Sequence, residues 1–135
     1  MRARDRLGRF VEPGDPAQVP PVPEEALPPR EAVAAARQLL ADGRAFGAHE
    51  VFEASWKAAD ATERDLWQGL AQVCVGLTHL QRGNAVGAVT LLRRGAGHLT
   101  DQPDTYGLRP ARLARDAIAL AERIEGGQIE GWLQV

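Results

Sequence analysis

The residues best suited to catalysis or metal binding in this sequence lie in the segment HEVFEASW, which runs from His49 to Trp56. In a helix, His49, Glu53 and Trp56 share one face because they are spaced i, i+4 and i+7. Glu50 lies about 100° around that helix but is within i+3 reach of Glu53. An imidazole and a carboxylate on one face can bind a metal ion, move a proton or hydrogen-bond to each other.

A second polar stripe, formed by Gln68, Gln72 and His79, follows on the next predicted helix at i, i+4 and i+11. If the two helices pack antiparallel, the stripes can face each other and bring His49 and Glu53 to Gln72 and His79. Leaving such groups buried and unpaired costs about 1–3 kcal/mol each. They must therefore satisfy one another, hold water or bind another molecule.

Three interpretations of this predicted polar cluster remain open. The first is a metal site, because H-E-x-x-E resembles H-E-x-x-H with Glu53 in place of the second histidine. A third ligand would come from His79, or less favourably from His98. A ferritin-like di-iron site needs more carboxylates than the third helix offers after Asp65.

The second interpretation is acid–base chemistry. Glu50 and Glu53, close together at low dielectric, would have their pKa values pushed apart, and His49 could shuttle the proton. No nucleophile motif, phosphate loop or cofactor fingerprint accompanies these residues, so no cofactor is predicted. The third interpretation, a structural His–Glu–Gln network that sets helix register, is favoured because it is the commonest role of polar groups in helical cores.

Composition narrows the class of protein. The chain has 135 residues, 44% of them hydrophobic, and a formal net charge of −2. It therefore fits one globular domain and has no global basic field for nucleic acid. The single cysteine, Cys74, suits a reducing cytosol, and no apolar signal region is visible near the start. The longest charge-free run, residues 66–81, is too short and too polar to span a bilayer, so a cytoplasmic protein is predicted.

Residues 1–28 are predicted to form an extended arm rather than packed structure. Seven of the nine prolines lie at positions 13 to 29, and proline removes an amide donor and biases its predecessor away from helix. The first nine residues contain four arginines: Arg2, Arg4, Arg6 and Arg9. A contact with an anion such as nucleic acid is one interpretation, but a solvated tail is the more common fate of such a run.

Residues 29–135 are predicted to be one helical domain of five helices. Apolar periodicity and helix-end signals give the bounds of these helices. The first runs from Pro28–Pro29 to about Asp42, the second from about Arg44 to Asp60, and the third from near Thr62 to Gly83. The fourth begins after the cap Asn84, and the fifth runs from Pro110 to Gly126. The third helix is apolar nearly all round, which predicts a buried central helix.

Further features concern packing. Gly69 and Gly76 lie seven apart on one stripe of the third helix and predict that another helix crosses there at short range. Trp56 and Trp67 are predicted to be core aromatics. The last residues carry Ile129, Trp132, Leu133 and Val135, so this segment is expected to dock on the bundle.

Three blocks together resemble a known family, the domain of unknown function numbered three hundred and nine, which comprises small helical proteins of bacteria and archaea. The blocks read H-E-x-x-E-x-x-W from His49, G-L-x-Q from Gly69 with His79 downstream, and G-N-x-x-G-A from Gly83 followed by Leu91–Leu92. The resemblance implies a compact bundle with a buried central helix, and it implies no activity, because the family has none established. It also implies one spatial cluster of His49, Glu50, Glu53, Gln72 and His79.

The sequence thus predicts an all-α domain that is non-catalytic and acts through self-association or a protein partner. The rival hypothesis is a metal- or carboxylate-dependent enzyme centred on His49, Glu50 and Glu53.

Overall fold

Five α-helices make up the computed structural model, which describes residues 3–135. They are α1 (Pro29–Ala41), α2 (Ala45–Ala58), α3 (Arg64–Gln81), α4 (Ala85–Leu99) and α5 (Pro110–Glu125). Within the described range there is no β-strand, only isolated bridges, so the all-α prediction is confirmed. None of the helices in this range combines the length and apolar character needed to cross a bilayer.

The helix ends follow local signals in the sequence. Pro29 and Pro110 occupy the first turns of α1 and α5, where a missing amide hydrogen removes no helical bond. The Asn84 side chain caps α4 by accepting a hydrogen bond from the Gly87 amide at 2.9 Å. Gly83, with φ +77°, ends α3 in the left-handed conformation that favours glycine.

The helices pack in chain order, each against the next, and α1 and α5 make no extensive contact with each other. Gln81 donates to the Gly43 carbonyl at one end of the α2–α3 pair, and Phe52 packs on Trp67 nearer the other end, so these helices are antiparallel. α3 lies between α2 and α4 and buries residues over most of its circumference. The predicted buried central helix is therefore confirmed.

Glycines allow α3 and α4 to approach closely. A Cβ placed on Gly69 would lie 2.7 Å from Leu99 Cγ, and one on Gly76 would lie 2.9 Å from Leu92 Cγ. Both distances are too short for real carbon atoms. The predicted short-range crossing at these two glycines is confirmed, and the crossing helix is α4.

The N-terminal arm, defined here as residues 3–28, contains no helix but is packed against α2. Val22 is buried, and the Arg4 guanidinium lies 4.8 Å from the centre of the Phe46 ring. Arg82 donates two hydrogen bonds to the Leu7 carbonyl, at 2.6 and 2.9 Å. The expectation of an unpacked arm was wrong, because prolines prevent helix formation without preventing burial of the side chains beside them. Arg2 lies outside the described residues.

The C-terminal tail, defined as residues 128–135, lies in the gap between α1 and α5. Leu133 is buried, whereas Ile129 is 67% exposed and Trp132 is 36% exposed. Arg37 of α1 donates to a Val135 oxygen at 3.1 Å. The tail thus docks through Leu133 and its end, while two of the four residues expected to dock face outward.

Candidate functional site

His49 and Glu53 form a close pair on α2. The distance from His49 Nε2 to Glu53 Oε2 is 2.8 Å, and Lys57 Nζ lies 3.1 Å from the other carboxylate oxygen. The His49 side chain is 19% exposed, and its ring centre lies 5.3 Å from that of Phe46. The i, i+4 spacing seen in the sequence therefore does produce a contact.

Burial favours the neutral form of the His49 imidazole. Burial lowers the pKa of His49, and this effect outweighs the attraction of Glu53 and of the Phe46 carbonyl for the protonated ring. In the neutral ring, Nε2–H donates to Glu53, and the buried Nδ1 has no hydrogen-bond partner among residues 3–135. With the imidazole neutral, the contact is a hydrogen bond from the ring to the Glu53 carboxylate, which also pairs with Lys57.

Acidification is expected to destabilise the protein through His49. Because the folded-state pKa of His49 lies below its ordinary value of 6.5, the stabilisation it contributes is present above that value and is lost as pH falls through the folded pKa. The pKa of Glu50 is raised, so the stabilisation from Glu50 is lost as pH rises instead. The quantity to compare is therefore the pH dependence of the free energy of unfolding in wild type and in His49→Gln. Chemical denaturation from pH 7.5 to 4.5 should show a steeper loss in wild type. Parallel pH profiles would contradict the assignment.

Glu50 lies on a different side of α2, beneath the arm. Burial raises the pKa of Glu50, as Glu53 does to a smaller extent, while Arg4 and Arg44 oppose the shift. It lines a cavity of about 160 Å³ between the arm and α2, with Val22 among the other lining residues. This cavity was not predictable from an arm expected to be unpacked, because the arm forms one of its walls.

Gln72 and His79 do not join the α2 pair. His79 Nδ1 lies 3.2 Å from Asn84 Nδ2, and a Cβ placed on Gly87 would lie 2.9 Å from the His79 ring. By helical geometry, His79 points about 120° and Gln72 about 140° away from Trp67, an α3 residue that packs on Phe52 of α2. The two polar stripes therefore do not face each other, and the buried Gln72 Oε1 has no hydrogen-bond partner in the described part of the chain.

The three histidines occupy separate environments. His49 pairs with Glu53, His79 bonds to the α4 cap, and His98 Nδ1 lies 3.0 Å from Asp65 Oδ1. In residues 3–135, no three side chains of the His, Cys, Asp and Glu types are arranged so that they could hold a metal ion. The side chains of His49, Glu53 and His79 are therefore not arranged to ligate one metal ion. Trp56 is partly buried and packs against the core.

Residues 33–91 match the model of a family described as "Domain of unknown function (DUF309)". The matched range runs from α1 into α4 and includes the His49–Glu53 pair, whereas the arm, α5 and the tail lie outside it. Neither the comparison with curated proteins nor that with solved structures gave a significant match.

A second polar cluster joins the matched range, residues 33–91, to a loop outside it. Trp67 Nε1–H donates to Glu63 Oε1 at 3.1 Å, and the Tyr106 hydroxyl donates to Glu63 Oε2 at 2.5 Å. The Tyr106 ring stacks on Trp67 with ring centres 5.8 Å apart, and Tyr106 has a φ of +53°, which is uncommon for a bulky residue. The i, i+4 spacing of Glu63 and Trp67 was visible in the sequence, but nothing local connected them to Tyr106.

Replacing Glu63 with glutamine is expected to lower the pKa of Tyr106. The Glu63 carboxylate accepts the phenol's hydrogen bond and repels the phenolate, which raises the pKa of Tyr106 in the wild-type domain. Tyr106 is the only tyrosine, so phenolate absorbance during alkaline titration reports on it alone. Asp104→Asn, in the same loop, is the control and should leave the titration unchanged. Equal titrations in wild type and Glu63→Gln would contradict the contact.

Proposed function

We propose that this protein is a non-catalytic helical domain that self-associates by exchanging its C-terminal tail with a second copy. The observation that carries the proposal is the position of the tail in the gap between α1 and α5. The helices pack in chain order, so the first and last leave a gap that no helix closes. A segment of chain already fills that gap, and the same segment of a second copy has the same chemistry.

The gap fits an extended backbone. A Cβ on Gly131 would lie 2.6 Å from Leu120 Cδ1 of α5, so the tail backbone lies directly on that helix. Leu133 is buried beside Leu40 of α1, and Arg37 bonds to the tail end. These contacts supply an apolar anchor and a directional hydrogen bond, a combination that recurs where grooves recognise extended segments.

The joint between α5 and the tail supports exchange. Gly126 and Gly127 end α5, and Gly127 has a φ of +95° with no atom within 4 Å of a Cβ placed there. Residues 128–132 are exposed and have no regular secondary structure. A change in the backbone direction at Gly126 and Gly127 therefore breaks few contacts. Domain swapping by an identical element is a low-cost route to a two-fold dimer.

The chemistry of the described residues supports a non-catalytic role. The only serine, Ser55, is buried and donates to the Val51 carbonyl. The only cysteine, Cys74, is also buried, and burial raises the pKa of its thiol far above the ordinary range. Neither hydroxyl nor thiol is therefore placed to act as a nucleophile beside the His49–Glu53 pair.

The proposal is tested with the full-length protein by sedimentation velocity over a wide concentration range. Wild type is expected to form dimers as concentration rises, and Leu133→Asp is expected to remain monomeric because it places a charge in the apolar anchor site. Ile129→Asp is the matched control, since it makes a similar change at an exposed tail position and should dimerise like wild type.

Two outcomes would refute tail exchange. One is a wild type that stays monomeric at millimolar concentration, because each gap would then hold only the tail of its own chain. The other is a Leu133→Asp variant that is folded and dimerises as strongly as wild type.

A further inference from the structure

A cavity of about 250 Å³ lies where the start of α5, the loop before it, α1 and the tail meet. Its floor is apolar and includes Leu70 and Leu113, both buried. Its polar lining is rich in guanidinium groups, from Arg37, Arg109 and Arg112. A concave site with an apolar floor and a few convergent charges is typical of small-ligand binding.

The charges of this cavity are not neutralised within the described part of the chain. Arg37 is held in place by donating to the Gly107 carbonyl at 2.7 Å and to a Val135 oxygen at 3.1 Å. No hydrogen bond or ion pair is made by Arg109 or Arg112 to the described residues. Asp116 is the one carboxylate side chain among the lining residues, so the cavity keeps an excess of positive charge.

The backbone adds to the same field. α5 is 16 residues long, and its first turn, Pro110 to Leu113, borders the cavity. No side chain caps this end of the helix. The positive end of the helix dipole therefore borders the same space as the arginines, an arrangement that favours phosphate groups.

We propose that this cavity binds a small phosphate-bearing ligand, either inorganic phosphate or a phosphate monoester. Arg109 and Arg112 would donate to the phosphate oxygens, and Arg37 would supply a fixed positive charge beside them. The cavity is too small for a macromolecule, and Asp116 at its wall repels an extended polyanion such as nucleic acid. The site goes beyond tail exchange, because its two unpaired arginines lie at the start of α5 and not on the tail.

The test is isothermal titration of the full-length protein with inorganic phosphate and, separately, with phenyl phosphate at constant ionic strength. Wild type is expected to bind, and the double variant Arg109→Gln/Arg112→Gln to bind at least about tenfold more weakly, the loss expected for two charge-assisted hydrogen bonds. Arg115→Gln is the matched control, because Arg115 is exposed on α5 but does not line the cavity, and it should bind within about twofold of wild type.

Asp116→Asn is expected to increase the affinity for phosphate, a result that a misfolded variant would not give. Removing the carboxylate should tighten phosphate binding by about two- to tenfold, because a like charge near the ligand is lost. Tighter binding of phenyl phosphate than of phosphate would identify a monoester as the ligand, and equal binding would identify the phosphate ion.

Three results would overturn the proposal. The first is wild type that binds neither anion with a Kd below 10 mM, on the order of the weakest specific contacts. The second is binding that is lost equally in Arg115→Gln, which indicates general screening of charge. The third is RNA binding that depends on Arg109 and Arg112 when neither small anion binds.

Discussion

Replacing Gly95 with alanine is expected to destabilise the protein by about 1–3 kcal/mol, the usual effect of overpacking a core. A Cβ on Gly95 would lie 2.7 Å from Val73 Cγ2, 2.8 Å from the Gly69 carbonyl oxygen and 3.0 Å from the Val73 amide nitrogen. Two of these atoms belong to the α3 backbone and cannot rotate away. Relief therefore requires α3 and α4 to separate, which opens the core between them. Alanine gains up to about 1 kcal/mol in helix propensity, which is the smaller effect.

The matched control is Gly97→Ala, two residues further along α4. Gly97 is exposed, and no atom lies within 4 Å of a Cβ placed there. The same substitution should therefore stabilise the protein by up to about 1 kcal/mol through helix propensity alone. Urea denaturation of both variants measures the contrast. A Gly95→Ala protein as stable as wild type would show that α3 and α4 are further apart than the structure places them.

Replacing Gly8 with alanine is expected to detach the arm, residues 3–28, while leaving the five helices folded. Gly8 has a φ of +80°, and a Cβ there would lie 2.3 Å from Phe46 Cγ and within 2.7 Å of two further ring atoms. The Phe46 ring lies beneath Arg4, so it has little freedom to move aside. Hydrogen exchange and limited proteolysis should show loss of protection in the arm with a nearly unchanged melting transition of the helices.

Gly14→Ala separates the overlap with Phe46 from the cost of the backbone conformation. Gly14 has a φ of +85°, but nothing lies within 4 Å of a Cβ at that position. This variant carries only the left-handed penalty, about 1–2 kcal/mol, and should keep the arm docked. Equal loss of protection in both variants would contradict a specific role for the Gly8–Phe46 contact.

Detachment of the arm has a second measurable consequence at Glu50. Burial beneath the arm raises the pKa of Glu50 in the wild-type protein. In Gly8→Ala, solvent reaches this carboxyl group, and its pKa should fall toward the ordinary value. An NMR titration of the Glu50 carboxyl carbon measures the change, with Gly14→Ala expected to match wild type.

The helices and their order were predictable from sequence because helix formation depends on local periodicity and on residues at the helix ends. Pro29, Asn84 and Pro110 act within one turn of their own positions. The close crossing at Gly69 and Gly76 was also predictable, because a glycine pair on one stripe of an apolar helix has few other uses. The partner at that crossing, α4, was not.

The candidate site was predictable only as far as one helix extends. The His49–Glu53 contact follows from i, i+4 spacing and is present. The placement of Gln72 and His79 depends on how far α3 is rotated about its own axis. That rotation is set by the glycine face that receives α4 and by Trp67 packing on α2, so the polar stripe turns away from His49.

The sequence by itself determined the helical class, the helix ends, the buried central helix and the one-helix pair of His49 with Glu53. Only the tertiary structure decided which faces meet, that the proline-rich arm covers Glu50, that Tyr106 reaches Glu63, and that the arginines at the start of α5 surround a cavity with Arg37. The physical reason is range: backbone hydrogen bonds and side-chain periodicity act within a few residues, whereas Tyr106 and Glu63 are 43 residues apart and Arg37 and Gly107 are 70 apart. Such contacts depend on the packing of the whole core, to which each residue contributes only a small part.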